Sequence, residues 1–400
     1  MRTTNRPHSF LSAGICCMLL ILASCVDPAP VYHAFSLELV VDFGEDVPEE
    51  HRKGAKLVLS NLTKNYSLTR YTGDSGRVSF QGIEPGFYSA TILHSFSHRG
   101  KSYHINGLQN VDVFSDLSDT LDIVLSQTSA FVIKQYYYSA CLTPAGKQYS
   151  SDQFIEIHNN SEQLQYIDRL ALVEHESYAI EENYWKDIED TIVARAIWTI
   201  PGDGDDYPLA PGESVVIARD GINHQDPEYG NPLSPVNLEF ADFEFWVKHE
   251  NGSDLDAPHA DNMLETLFTF RGSDYVFHTR GGSAIALALY PGTQEEWQDY
   301  IDHHLVLKLN SSTRYYARVP NEYILDAVEV TWDEAHAIYK RFPPELDAGY
   351  TYVASGSRSG LCVRRKVEAV VDGRFIYQDT NNSTEDFEKD VLPKPWINEE

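Results

Sequence analysis

The residues best suited to hold a metal ion are an adjacent histidine pair and a short run of aspartates. His303 and His304 follow an aspartate, and adjacent imidazoles beside a carboxylate suit a transition metal. Asp203 and Asp205 alternate with glycine over residues 201–206, which partly matches a calcium-binding loop but lacks its closing glutamate. The alternative is that these side chains lie in solvent on a helix or in a turn and bind no metal. The sequence therefore leaves open whether these residues bind a metal ion, and it predicts no cofactor.

The sequence contains none of the common motifs of nucleophilic, phosphoryl-transfer or zinc-hydrolase chemistry. It has no Gly-x-Ser-x-Gly nucleophile elbow, no phosphate-binding glycine-rich loop and no His-Glu-x-x-His pair. Carboxylate pairs are so frequent among 60 acidic residues that none of them identifies an acid–base site. We therefore expect a protein that is not an enzyme, and an extracytoplasmic hydrolase is the least favoured of three functional classes.

Residues 1–24 predict a signal peptide that ends at a cysteine. Arg2 and Arg6 give a positive start, and residues 10–22 form an apolar run without a charged side chain. The run is shorter than the roughly 20 apolar residues that a transmembrane helix needs. It leads into Leu-Ala-Ser-Cys25, which resembles the bacterial lipobox and implies a lipid, palmitate included, on Cys25. An ordinary signal peptide with an incidental cysteine is the alternative.

Residues 25–33 contain two prolines and predict a short tether between the lipid and the folded part. No other stretch of the sequence approaches transmembrane length. We therefore expect the protein to be attached to the membrane through its N-terminal lipid. The expected location is the outer membrane, with the folded part at the cell surface.

The charge balance of the chain is strongly acidic. Against 31 Lys and Arg there are 60 Asp and Glu, which gives a net charge of −29. Such a field repels phosphate backbones and anionic lipid, so a nucleic-acid partner is not expected. A hydrophobic content of 42% is sufficient for packed cores. The length of the chain predicts two domains.

Cys141 and Cys362 are the cysteines that remain once Cys25 carries lipid and the signal peptide is removed. Two cysteines in an extracytoplasmic protein predict one disulfide. This disulfide would join the start of the larger domain to its end. Two buried free thiols are the alternative. Two cysteines without paired spacing do not predict a zinc site.

Residues 34–127 predict a small β-domain. Apolar and polar residues alternate over 35–41 and 55–59, as in half-buried strands. Residues 71–88 contain two turns, one at Asp74-Ser-Gly and one at Pro85-Gly. This turn-strand-turn pattern resembles the prealbumin-like, or carboxypeptidase regulatory-like, domain. The resemblance implies a small β-sandwich that acts as a spacer.

Residues 128–400 predict a larger β-domain. The resemblance described next rests on four segments: Phe154-Ile-Glu-Ile-His-Asn, Leu209-Ala-Pro-Gly, Gly282-Ser-Ala-Ile-Ala-Leu and the closing run 379–387. In this order they resemble the lamin-tail domain, an immunoglobulin-like β-sandwich. The size differs, because residues 174–206 and 220–280 look like long insertions, and connections of that length are usually functional or disordered. Residues 291–307 and 332–340 predict short helices.

The whole chain is similar to an uncharacterised lipoprotein family of Gram-negative anaerobes with the same two-part layout. That resemblance implies no activity. Because loops on a rigid sandwich often carry recognition, we expect non-covalent binding through the insertions. The favoured role is an accessory to outer-membrane uptake of nutrients or iron compounds, with a TonB-dependent receptor as partner. A structural or adhesive surface protein without a small ligand is the alternative.

Overall fold

The computed structural model describes residues 34–398 except 45–46, 99–100, 128, 189, 250–253, 255 and 270–273. Cys25, the predicted signal peptide and the tether lie outside the described residues. Strands form nearly all of the regular structure in the described part, which confirms the predicted all-β class. Of the helices within these ranges, none has the length and apolar content to cross a membrane.

Two sheets enclose the first hydrophobic core. Their strands are β1 (Phe35–Asp42), β2 (Lys56–Asn61), β3 (Ser67–Tyr71), β4 (Arg77–Ile83), β5 (Gly86–His98), β6 (Lys101–Val113), β7 (Leu117–Asp122) and β8 (Val124–Gln127), with a 3₁₀ helix at Glu49–His51. The strand orders are β4-β1-β7 and β3-β2-β5-β6-β8. In β1, Leu37, Leu39 and Val41 are buried while Glu38 is partly exposed. The predicted alternation is therefore confirmed, and its apolar members fill this core.

The rest of the described chain is built around a larger pair of sheets. Its elements are β9 (Phe131–Tyr137), β10 (Cys141–Leu142), β11 (Gln148–Tyr149), β12 (Phe154–Asn159), β13 (Gln165–Tyr166), β14 (Leu170–His175), β15 (Thr191–Thr199), β16 (Pro208–Leu209), β17 (Ser214–Ala218), β18 (Phe243–Glu244), β19 (Asp261–Asn262), β20 (Leu264–Phe268), β21 (Ile285–Leu289), α1 (Gln294–His303), β22 (Leu305–Leu307), β23 (Tyr315–Pro320), β24 (Ile324–Val328), β25 (Cys362–Arg365), β26 (Val367–Val371), β27 (Arg374–Tyr377), α2 (Ser383–Asp386) and β28 (Phe387–Val391). Two 3₁₀ helices cover Asn321–Tyr323 and Glu334–Tyr339.

These two sheets are called the front sheet and the rear sheet. The front sheet has the order β19-β18-β17-β12-β9-β25-β28. The rear sheet has the order β22-β23-β15-β14-β21-β24, and β20 also pairs with β15. Side chains such as Ile133 of the front sheet and Trp198 of the rear sheet form the second core. On the other face of the front sheet, Tyr137 packs with Val236 and Leu238, so β9 is buried on both faces.

One of the two predicted insertions is shorter than expected. Residues 191–199, inside the predicted insertion 174–206, form β15, an interior strand of the rear sheet. All but the first residue of this strand are buried, and a strand covered on both faces lacks the polar alternation that marks a half-buried one. The loop that remains covers residues 176–190 and is called the insertion loop. The second predicted insertion, 220–280, contributes the short strands β18, β19 and β20.

Both segments with helical character are present in shorter form. Thr293 caps α1, since its side chain accepts from the Glu296 N–H while the Glu296 carboxylate accepts from the Thr293 N–H. This reciprocal capping box fixes the first turn of the helix. The second predicted helix is the 3₁₀ helix Glu334–Tyr339, whose first turn is capped by Asp333.

Candidate functional site

The predicted histidine pair lies at the exposed end of α1. The His303 Nδ1 is 2.7 Å from the Asp299 carbonyl oxygen, and the His304 ring stacks on Tyr300 with 3.9 Å between ring centres. Both histidines therefore have local partners on their own helix. Within the described ranges, no group of three or more His, Cys, Asp or Glu side chains is placed to hold a metal ion.

The predicted acidic turn is arranged around an anion that the chain itself supplies. The buried Asp168 carboxylate accepts from the backbone N–H groups of Gly204 at 3.0 Å, Asp206 at 2.9 Å and Tyr207 at 3.0 Å. Burial raises the pKa of Asp168, but these donors outweigh it and hold the pKa below its ordinary value. Backbone N–H groups that converge in this way favour an anion. Asp203 and Asp205 are exposed on that turn.

Cys141 and Cys362 are both free and buried, so the predicted disulfide is wrong for this structure. The Cys141 thiol is 3.1 Å from the Asp152 carboxylate, whereas the Cys362 thiol is 3.2 Å from the Gln135 side-chain oxygen. Counting cysteines does not test whether two thiols can meet, and a disulfide requires a narrow geometry. The alternative of two buried free thiols describes both residues.

An aspartate and a histidine lie near Cys141, as they do near catalytic cysteines. The thiol is nevertheless not activated as a nucleophile. Tyr137 and Ser234 also donate to the Asp152 carboxylate, at 3.1 and 2.8 Å. The His224 ring, however, is held by Tyr149 and lies apart from the thiol in the hydrogen-bond network. Burial, followed by the Asp152 charge, raises the pKa of Cys141 well above its ordinary value. A buried thiol that stays protonated is a poor nucleophile, so this cluster anchors the loop around Ser234.

A pocket of about 410 Å³ lies where the insertion loop meets residues 340–345. It is called the side pocket. The walls combine two aromatic rings with polar side chains, among them Asn183, Trp185, Lys186, Phe342 and Glu345. Sequence reasoning predicted that the insertion would carry recognition but did not identify the opposing wall. That wall follows the 3₁₀ helix Glu334–Tyr339 and reaches the pocket only through the folding of the chain.

The insertion loop is held in place by a buried asparagine. The Asn183 side-chain oxygen accepts from the Trp185 N–H at 2.9 Å and from the Ser177 hydroxyl at 3.1 Å. The Trp185 indole N–H donates to the Glu176 carboxylate at 2.7 Å. Since Asn183 also contacts the Arg341 carbonyl oxygen, at 3.4 Å, one side chain connects both walls. The orientation of the indole is thereby fixed before any ligand binds.

The cations beneath the side pocket are satisfied by the protein itself. Arg341 donates to one Glu329 oxygen from Nε at 2.8 Å and from Nη2 at 2.6 Å, and both side chains are fully buried. Lys340 donates to the carbonyl oxygens of Asp347 and Gly349, each at 2.5 Å. Burial lowers the pKa of His175 to about 3, so its imidazole is neutral near pH 7. Arg341 and Lys340 therefore have hydrogen-bond partners within the protein.

The second insertion presents a different surface, which is apolar and exposed. Tyr229 is 78% exposed, Phe240 72% and Leu233 57%. Val236 and Leu238, on the same segment, are buried against the front sheet. The segment is thus anchored through some apolar side chains and displays others. Contiguous exposed apolar patches mark protein contact sites, and these three side chains are the residues of this segment that could contribute to one.

Comparison with known proteins shows what the chain is similar to. Residues 210–394 match a family described as "Protein of unknown function (DUF4876)". The chain is also similar to the crystal structure of a DUF4876 family protein from Bacteroides thetaiotaomicron, with 28% sequence identity and a TM-score of 0.60, over 90% of this chain and 96% of that one. No curated protein sequence matches. The chain therefore shares the fold of this Bacteroides protein and carries, over residues 210–394, the sequence pattern of the DUF4876 family.

Proposed function

We propose that the protein is a cell-envelope lipoprotein that acts by non-covalent binding at the side pocket. The observation that carries the proposal is the pairing of rings with hydrogen-bonding groups there: Trp185 and Phe342 lie beside Asn183 and Glu345. Ligand sites commonly combine an apolar wall with a few oriented polar groups. The sandwich beneath holds both walls, so little ordering is required on binding.

The ligand class that fits is a neutral polar molecule with an apolar face. Arg341 and Lys340 are already paired with groups of the chain, so they leave little charge for an anion. The net charge of −29 further disfavours polyanions. The role we propose is an accessory to nutrient or iron-compound uptake at the outer membrane, held there through Cys25 and acting with a TonB-dependent receptor.

A second candidate function is that of a structural or adhesive surface protein. The exposed side chains of Tyr229, Leu233 and Phe240 favour it, because they offer an apolar contact surface on the outside of the front sheet. In this alternative a protein partner covers the second insertion, and the side pocket has no ligand. The two functions place the essential residues on different insertions, so they can be separated by mutation.

The test is affinity purification of the tagged full-length protein from detergent-solubilised outer membranes, with stoichiometry measured by mass spectrometry. We expect one β-barrel receptor at a ratio near one to one, and the same receptor identifies the substrate class for direct binding measurements. Trp185→Ala is expected to abolish ligand binding, because it removes the ring that forms one wall. Tyr229→Ser is the matched control, since it removes an exposed aromatic ring from the other insertion.

Two outcomes would contradict the uptake role. Recovery of the protein alone at several salt concentrations would remove the receptor from the proposal. Loss of partner binding in Tyr229→Ser, with no effect of Trp185→Ala, would transfer the function to the apolar surface and favour the adhesive alternative.

A further inference from the structure

A lysine, a glutamate and an asparagine meet on the outer face of the front sheet. Lys134 lies in β9, Glu156 lies in the neighbouring β12, and Asn398 follows β28 in the C-terminal segment. The Lys134 Nζ is 2.8 Å from the Glu156 Oε1 and 2.8 Å from the Asn398 Oδ1. The side chains of Lys134 and Glu156 are both 0% exposed. A buried amine and a buried carboxylate therefore meet a partly buried carboxamide.

An irregularity in strand pairing creates this site. Glu156 pairs with Gln135, but Ile157 pairs with Ile133, so Lys134 is an extra residue in β9. In such a bulge two residues of one strand oppose one residue of the other. Lys134 and Gln135 both reach the Glu156 carboxylate as a result, since the Gln135 side-chain nitrogen donates to it at 3.0 Å.

The C-terminal segment is fixed over the same carboxylate. The Trp396 N–H donates to the Glu156 Oε1 at 3.1 Å, and the Lys394 N–H donates to the Gln135 side-chain oxygen at 2.9 Å. The Tyr377 hydroxyl donates to the Asn398 Oδ1 at 3.0 Å. The Asn398 carbonyl oxygen thus receives two donors, Lys134 and Tyr377, which make the attached carbon more electrophilic.

Burial shifts the pKa of Lys134 and of Glu156 in the direction that favours nucleophilic attack by the amine. Desolvation lowers the pKa of Lys134, although the Glu156 charge opposes it. Desolvation also raises the pKa of Glu156. Both shifts favour the pair in its neutral form, a free amine beside a protonated acid. A free amine is a nucleophile, and a protonated carboxyl can transfer protons to a leaving group.

We propose that Lys134 and Asn398 become joined by an isopeptide bond, with Glu156 as the proton-transfer group. The Lys134 Nζ attacks the Asn398 Cγ, and a new C–N bond forms. The bond from Cγ to Nδ2 breaks, and ammonia leaves. Glu156 gives its proton to the departing nitrogen and regains one from the new amide nitrogen, so the carboxyl is unchanged. The Tyr377 hydroxyl stabilises negative charge on Oδ1 during the attack.

The reaction needs no oxidant, metal or co-reactant, because one amine and one carboxamide give one secondary amide and ammonia. Holding the groups in contact replaces a bimolecular encounter by an intramolecular one, which strongly favours attack. The product closes residues 134–398 into a covalent ring that contains nearly all of the larger sandwich. Such a ring limits the freedom of the unfolded chain and resists separation of the C-terminal segment. This inference does not depend on the proposed ligand binding.

The decisive measurement is the mass of the purified full chain, followed by a tryptic peptide map. We expect the intact mass to be lower than that of the linear chain by one ammonia. We also expect one pair of peptides joined through Lys134 and Asn398, with no cleavage after Lys134. An intact mass equal to that of the linear chain would overturn the proposal. So would loss of ammonia with Lys134 still cleaved by trypsin, because that pattern indicates a cyclic imide at Asn398.

Variants separate the role of each residue. For Asn398→Ala and Glu156→Gln we expect the intact mass calculated for each uncrosslinked chain, without loss of ammonia. Both variants are also expected to migrate more slowly in denaturing gels than the ring-closed protein. Lys366→Gln is the matched control, since Lys366 is a partly buried lysine of the same domain that contacts the Glu385 carbonyl oxygen, and it should retain the loss of ammonia. Loss of ammonia in Asn398→Ala would refute the assignment of the bond.

Discussion

At the scale of single residues, the two aspartates of the closing run 379–387 surround one buried arginine. Arg365 donates to Asp326 at 2.8 and 2.7 Å, to Asp379 at 3.1 Å and to Asp386 at 3.4 Å. All four side chains are almost fully buried. One cation cannot balance three carboxylates, so at least one of them is favoured in its protonated form. The segment whose letters resemble a lamin-tail motif therefore has a structural role here.

This imbalance predicts that stability falls as the pH rises through neutrality to about 8. Burial, opposed by Arg365, raises the pKa of Asp379 from 3.8 to about 8. The folded protein binds this proton more tightly than the unfolded chain, so the stabilisation is complete below pH 3.8 and is lost as the pH rises through about 8. Between about pH 6.5 and 8.5 we expect the free energy of unfolding to drop by at least about 1.4 kcal/mol, the equivalent of one pKa unit.

Urea unfolding at the two pH values measures the effect. Asp379→Asn is expected to flatten the dependence, because an amide mimics the protonated acid at every pH. Asp203→Asn, at an exposed position, is the control and should retain the wild-type slope. An equal slope in wild type and Asp379→Asn would show that Asp379 is ionised in the folded protein.

At the scale of elements, alternation in sequence predicts a strand only where one face meets water. Leu37 and Leu39 alternate with the polar residues Ser36 and Glu38, and β1 has the predicted position. Residues 191–199 are buried on both faces, so no regular apolar–polar alternation distinguishes β15 from a loop or helix. The bulge at Lys134 cannot be predicted from local sequence either, since it depends on how β9 pairs with β12. Long-range pairing, which local sequence does not contain, thus determines both the rear sheet and the lysine site.

The wall of the side pocket formed by residues 340–345 depends on a buried ion pair, which gives a stability prediction. The Glu329 carboxylate binds Arg341 and accepts from the backbone N–H groups of Arg341 and Phe342, each at 2.8 Å. Glu329→Gln removes the charge that compensates a buried guanidinium, and breaking such a pair costs about 3–5 kcal/mol. We expect a loss of stability of that size by thermal or urea unfolding, together with weaker ligand binding because the loop is no longer fixed.

A matched variant is available on the opposite wall. Glu182→Gln removes an exposed partner of Lys186, and exposed ion pairs contribute little to stability. No measurable change in unfolding is expected for this control. If both variants lost the same stability, burial of the Arg341 pair would not be the cause.

At the scale of the whole molecule, two hydrophobic cores meet through polar contacts. The Asn106 side-chain nitrogen donates to the Thr380 carbonyl oxygen, and Lys56 lies 3.4 Å from Glu385. Both contacts join the first pair of sheets to the run that surrounds Arg365. The sequence predicts two domains because residues 34–127 and residues 128–400 each have their own turn and strand pattern. The contacts between the two cores could not be predicted, since their residues lie more than 270 positions apart in the chain.

The overall charge decides how the protein can stay on a membrane. A net charge of −29 gives no attraction to anionic lipid, so the membrane attachment that we propose relies on an apolar anchor at Cys25. Because burial of acyl chains is insensitive to ionic strength, the protein should remain in the membrane fraction after washing with high salt.

Cys25→Ser should move it to the soluble fraction and abolish incorporation of labelled palmitate. Cys16→Ser, in the same N-terminal segment, should change neither result. Release of the wild-type protein by salt would show that it is held by charged partners rather than by a lipid on Cys25.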